Sequence, residues 1–137
     1  MTSTVTYEGA LRTEAVHLQS GSAMETDAPT DNHGRGERFS PTDLIGTALA
    51  SCMLTTIAIR ARTLEDILKG VRIDTRKVMS ATPPRKISEI HLTYHYPDGF
   101  SATPDQRAEM ERIAWSCPVK ESLHPDIRLE VDFNWPS

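Results

Sequence analysis

The chain is poor in cysteine: its 137 residues hold two, Cys52 and Cys117. Structural zinc sites group four ligands at short, regular spacings, and two cysteines with scattered histidines provide no such grouping. No apolar run reads as long enough to predict a membrane span. No basic segment leads into an apolar one near Met1, so export is not expected. No glycine-rich phosphate loop, nucleophile elbow, internal repeat or low-complexity segment is present. An excess of basic residues is also missing. The formal net charge is −4, which argues against nucleic acid or an anionic membrane as partner. The expectation is one cytoplasmic domain over residues 1–137, with no cofactor and no metal. A chain of this length buries roughly two-thirds of the surface its unfolded form exposes, so it folds without a covalent staple. In a reducing compartment, two cysteines point to free or reactive thiols rather than a structural disulfide.

What is present reads as strands, a long helix, strands, a helix and a strand. Residues 4–7 and 11–18 are short β-like runs, with Glu8-Gly9-Ala10 as the hairpin turn, and residues 22–26 add a third strand. Residues 27–38 hold Pro, Asn and two Gly without periodicity and read as a long loop. Ser40-Pro41-Thr42-Asp43 has the form of a helix start. The Ser40 hydroxyl can accept a first-turn N–H, Pro41 loses no needed donor, and Asp43 can close a capping box. The helix is expected to run to about Arg62, apolar on nearly every side, and to lie at the centre of a fold or at a subunit interface. A short turn over 63–70 ends at Gly70. Residues 71–79 and 86–96 alternate with period 2, with Ile90, Leu92 and Tyr94 opposing His91, Thr93 and His95. A second capped helix runs from Thr103 to about Trp115, Cys117-Pro118 opens a short turn, and 127–133 is the last strand. The class is α+β with largely antiparallel pairing.

Cys117 stands where the unpaired N–H groups of a helix start favour an anion. Cys52 lies about three turns into its helix, so its thiolate would need a side chain brought from elsewhere, an arginine above all. A lone cysteine on an apolar helix face is more often a small core residue than a nucleophile, so from the residues alone both readings stay open.

The stretches "FSPTDLIGTALASCM" and "SCPVKESL", with their separation and the order of elements, resemble the OsmC/Ohr family, the osmotically induced and organic-hydroperoxide-resistance proteins. That resemblance implies an intertwined homodimer with sheets wrapped around a long central helix, and active sites at the interface. It implies thiol-dependent reduction of organic hydroperoxides, with Cys52 peroxidatic, Cys117 resolving and a dithiol as reductant. A buried Cys52 in an apolar pocket would select organic substrates, while Cys117, near a loop, would meet the reductant. Relatives with this chemistry carry a Glu directly after the helix-opening Pro, and it holds an arginine over the thiolate. Here Thr42 occupies that place and Asp43 follows one residue later. The arginine candidates are Arg38, Arg12 and Arg35, with Arg38 preferred because it lies two residues before the Ser40 cap. The alternatives are a non-catalytic stress protein of this fold that binds an apolar or thiol ligand, and a redox sensor using the same cysteine pair.

The histidines have simpler readings. His91 and His95 are about 13 Å apart along a strand, too far for one metal. His33 belongs to the long loop and His124 to a turn. Trp115, beside Ser116-Cys117, either packs in the core or lines a pocket.

Overall fold

The computed structural model describes residues 1–137, and the chain forms two compact units, Met1–Ile45 and Gly46–Ser137. The first holds strands β1 (Ser3–Gly9), β2 (Arg12–His17) and β3 (Ala23–Asp27), paired antiparallel in that order. The turn between β1 and β2 is Ala10-Leu11, both at positive φ, rather than the expected Glu8-Gly9-Ala10. Gly9, at φ 87°, absorbs a register shift that moves the turn forward. One face of this sheet carries the rows Val5–Ala15–Met24 and Tyr7–Thr13–Thr26. Val5 and Tyr7 on it are 66% and 65% exposed. The only buried residues of this unit are Thr26, Asp27 and Ser40. A three-stranded sheet with no buried apolar side chain lacks a core of its own.

The long loop after β3 holds a 3₁₀ turn at Thr30–Asn32 and leads to helix α1 (Pro41–Arg60). Its start is the expected capping box. The Asp43 N–H donates to Ser40 Oγ at 3.0 Å, and the Ser40 N–H donates to Asp43 Oδ2 at 2.8 Å. By length and composition α1 could cross a membrane, which departs from the sequence expectation. Instead its residues Leu49, Ala50, Met53 and Ile57 enter the core of the second unit. It is not buried all round: Ile45, Ala48, Ser51, Thr55 and Ile59 are exposed. A helix with a core face and an equally apolar open face satisfies an apolar composition without being enclosed.

The second unit continues with a 3₁₀ turn at Arg62–Leu64, a short helix α2 (Glu65–Leu68), strands β4 (Arg72–Met79) and β5 (Ile87–His95), helices α3 (Pro104–Ala114) and α4 (Pro118–Ser122), and strand β6 (Arg128–Asp132). Strand β5 is central, antiparallel to β4 and parallel to β6. Three of the four strand pairings are antiparallel, in line with the largely antiparallel expectation, and β5–β6 is the parallel exception. Segment 96–127 carries two helices and returns the chain to the end of the sheet where β5 began, as a parallel partner requires. Ile90, Leu92 and Tyr94 of β5 form the core with Leu49, Met53 and Ile57 of α1 and Met110 and Ile113 of α3. Gly46 of α1 faces Ile90, where an added Cβ would make an ordinary 3.8 Å contact. The opposite face of β5 is polar, as its alternation predicts. His91 meets Glu89 at 2.6 Å and His95 meets Asp74 at 2.9 Å. The C-terminal segment is held by its rings, with Trp135 stacked on Tyr96 and Phe133 and its indole N–H on Glu111 at 2.6 Å.

Candidate active site

Helices α1 and α4 bring both cysteines together within the second unit. Cys52 lies roughly 100° around α1 from the middle of its buried face, at the border with the open one. It is partly exposed, and Cys117 is fully buried. This reverses the expected accessibilities, because Cys117 sits beneath the junction of α3 and α4 and not in an open loop. Both are free thiols, and each influences the acidity of the other.

The local fold around Cys117 follows from two helix signals. Helix α3 begins with a complete capping box between Thr103 and Gln106, and Trp115 ends it. Cys117 is the N-cap of α4, and Pro118 takes the first helical position, where a missing N–H costs nothing. The next two N–H groups have no partner within the helix. The Lys120 N–H goes to Cys117 Sγ at 3.4 Å, and the Val119 N–H favours an anion at Cys52. The helix start holds Cys117, as the sequence suggested, and also favours an anion at Cys52.

The two thiols are pushed in opposite directions. Burial works against an anionic Cys52, but the Val119 N–H, the Thr56 hydroxyl at 3.7 Å, the Cys117 thiol and the charge of Arg60 outweigh it and lower its pKa. Burial raises the pKa of Cys117. The Lys120 N–H opposes that rise, and the neighbouring Cys52 with its negative charge adds to it. Cys117 therefore stays a thiol that can donate to a Cys52 thiolate. Tyr94, whose hydroxyl rests on Met53 Sδ at 3.7 Å, is kept protonated by its burial.

The arginines proposed from sequence all lie in the first unit. Arg12 grips the buried Asp27 with two 2.8 Å bonds across paired strand positions and reaches Glu37 at 3.1 Å. The Arg12 bond, only partly opposed by burial, holds the Asp27 carboxyl below its usual range. Arg35 adds a favourable charge near Asp27. Arg38 bonds Glu25 at 3.2 Å and the Glu37 carbonyl at 3.0 Å. Asp43 gives one carboxylate oxygen to the Ser40 N–H, and the Thr42 hydroxyl lies 3.2 Å from that of Ser40. Sequence reasoning missed Thr56 and Arg60. Thr56 was legible as the residue one turn after Cys52. Arg60, whose Nη1 bonds Ser116 Oγ at 2.5 Å, carried no comparable signal. Trp115 is partly exposed at the end of α3, His33 lies in the loop at positive φ, and His124 Nδ1 accepts the Asp126 N–H in a turn.

A two-layer α+β architecture with paired free cysteines, one on a long helix and one capping a short helix, defines a class of small thiol proteins. The profile described as OsmC-like protein matches residues 34–132, and the chain belongs to the OsmC-like family. A crystal structure from Psychrobacter arcticus 273-4, described provisionally as an osmotic stress induced and detoxification response protein, is 48% identical. The match covers 96% of this chain and 94% of that one, with a TM-score of 0.88. Two more distant structures share the fold. The organic hydroperoxide resistance protein OsmC of Legionella pneumophila is 16% identical over 96% of both chains, with a TM-score of 0.72. The organic hydroperoxide resistance protein OhrB of Bacillus subtilis is 14% identical over 96% of this chain and 97% of that one, with a TM-score of 0.64. No curated protein sequence matches the chain.

Proposed function

We propose that the protein is a cytoplasmic, thiol-dependent peroxidase that reduces organic hydroperoxides through Cys52 and Cys117. The observation that carries this reading is the placement of two free cysteines, Cys52 partly exposed on α1 and Cys117 buried at the N-cap of α4, with Cys52 favoured as thiolate and Cys117 as thiol. The Cys52 thiolate attacks the hydroperoxide oxygen distal to carbon. An S–O bond forms, the O–O bond breaks, and the alkoxide leaves as alcohol after taking a proton. Cys52 is then a sulfenic acid. The Cys117 sulfur attacks Cys52, an S–S bond forms, and water leaves. A dithiol reductant returns two electrons and two protons and becomes a disulfide itself.

The working unit in this reading is a homodimer with sites at the interface. Two apolar surfaces lack cover: the Val5–Tyr7–Met24 face of the first sheet, and the open face of α1. On α1 the positions Ile45, Ala48, Cys52, Thr55 and Ile59 recur at the 3.5-residue spacing of helix pairs. Cys52 lies in that stripe, so a second copy would close an apolar pocket over it. Ile59 is 67% exposed in the chain. Ile59→Asp is expected to convert a particle of twice the chain mass to one of the chain mass, measured by light scattering. A wild type of single chain mass would remove the dimer from this reading.

Peroxide consumption by the reduced protein tests the function, with cumene hydroperoxide and hydrogen peroxide compared under a dithiol reductant. The expected result is clear preference for the organic peroxide. A rate no greater than that of free thiol would favour the second reading, a non-catalytic binding protein or a redox sensor on the same pair. One feature supports that second reading: Thr42 stands where peroxidase relatives would carry Glu, and an Asp43 oxygen is engaged in the helix cap.

A further inference from the structure

We propose that a reductant reopens the Cys52–Cys117 disulfide from the Cys52 side, with Cys117 as the leaving sulfur, because the segment after β6 pins the helix that seals Cys117. This rests on the disulfide proposed above. It departs from the expectation that Cys117, near a loop, meets the reductant. Cys117 is 0% exposed and belongs to the core with Met110, Ile113 and Ala114 of α3, whereas Cys52 is partly exposed. Disulfides are exchanged by direct attack of a thiolate on one of the two sulfurs, so that sulfur must be reachable. Cys52 is reachable in the folded chain. Cys117 becomes so only when α3 lifts.

Side chains on both sides of the C-terminal segment hold α3 down. The Tyr96 hydroxyl donates to the Phe133 carbonyl at 2.7 Å. The Trp135 indole N–H donates to Glu111 at 2.6 Å. Arg107, one turn earlier on the same face of α3, donates to the Pro136 carbonyl at 3.0 Å and lies over the Trp135 ring, 5.5 Å from its centre. The pinned helix leads through Trp115 and Ser116 directly into Cys117. Leaving-group acidity favours the opposite choice. Cys52 is the more acidic thiol and departs more readily, so attack at Cys117 would win if both sulfurs were open. Access overrides that preference. The Lys120 N–H, 3.4 Å from Cys117 Sγ, is in place to receive the departing thiolate.

In the proposed step a reductant thiolate bonds Cys52 Sγ and the Cys52–Cys117 bond breaks. The electron pair goes to Cys117, which takes up the proton that the reductant released. The second thiol of a dithiol then displaces Cys52 and closes the reductant's own disulfide. A monothiol has no second sulfur, and Cys117 attacks back, so a dithiol is the effective reductant.

The site of attack is read by trapping. The full chain is oxidised with diamide, which is expected to remove two hydrogens, and then treated briefly with 2-mercaptoethanol. The reaction is stopped with acid, the protein is denatured and blocked with N-ethylmaleimide, and peptides are identified by mass. Mercaptoethanol on Cys52 with maleimide on Cys117 should exceed the reverse pairing by at least about tenfold. Trp135→Ala should raise the Cys117 share by about three- to tenfold, and Trp135→Phe, which loses only the indole donor, by less. If Trp135→Ala does not fold, Trp135→Phe carries the comparison. The proposal is overturned if wild type carries mercaptoethanol equally or chiefly on Cys117, if diamide removes no hydrogens, or if folded Trp135 variants keep the wild-type share. Diamide is not a peroxide. Attack at Cys52 in a protein that consumes no peroxide upholds the proposal and sinks the peroxidase reading, and attack at Cys117 in an active peroxidase does the opposite.

Discussion

Cys52→Ser abolishes peroxide consumption, and Cys117→Ser leaves a single oxidation that stalls. These are the expected results for the cysteine pair, and they differ because the sulfurs have different work. The Thr56 hydroxyl lies 3.7 Å from Cys52 Sγ, and with the Val119 N–H and the Cys117 thiol it favours the Cys52 anion. A serine hydroxyl in its place has a far higher pKa and no comparable affinity for peroxide oxygen. Turnover should drop to the rate of reductant alone. Cys117 has its pKa raised by burial and by the neighbouring Cys52. It is a poor first nucleophile, and in the proposed mechanism it acts second, on oxidised Cys52. In Cys117→Ser the Cys52 sulfenic acid should persist, so one equivalent of cumene hydroperoxide adds one oxygen to the intact mass. In wild type the same treatment removes two hydrogens. A Cys52→Ser protein that still consumes peroxide at the wild-type rate would end the assignment of roles.

Ile90→Ala should be the costliest single truncation near the site. Ile90 is fully buried, lies between Lys77 and Leu129 in the sheet, and faces Gly46 of α1. Removing three carbons there loses their transfer free energy and leaves a cavity that two strands and a helix cannot close. The expected cost is about 3 to 4 kcal/mol. For a chain of this size that lowers the thermal midpoint by roughly 10 °C. Urea titration followed by tryptophan fluorescence measures it, with the slope unchanged if only stability is altered. A loss under about 1 kcal/mol would mean that α1 does not pack tightly on β5. The loss should also loosen the Cys52 environment, because Met53, the residue next to Cys52, belongs to the same packed layer.

The sequence by itself determined what depends on neighbours along the chain. Ser40 and Asp43 cap α1, and Thr103 and Gln106 cap α3, because such bonds span three residues. The alternation of Ile90, Leu92 and Tyr94 with His91, Thr93 and His95 assigned the two faces of β5, since a strand has period 2. The two cysteines and the motifs around them were enough to resemble the family that the profile match then established. The tertiary structure decided whatever depends on distance through space. It made β6 parallel, because the route of segment 96–127 is not a local property. It left one face of α1 open, because apolar composition does not say how many neighbours arrive to cover it. It exchanged the accessibilities of Cys52 and Cys117, because a helix start can itself be buried under its own junction. It tied Arg60 of α1 to Ser116, beside Cys117. A thiolate responds to charges and donors within a few ångströms of the sulfur, and those come from residues far along the chain that only folding brings there.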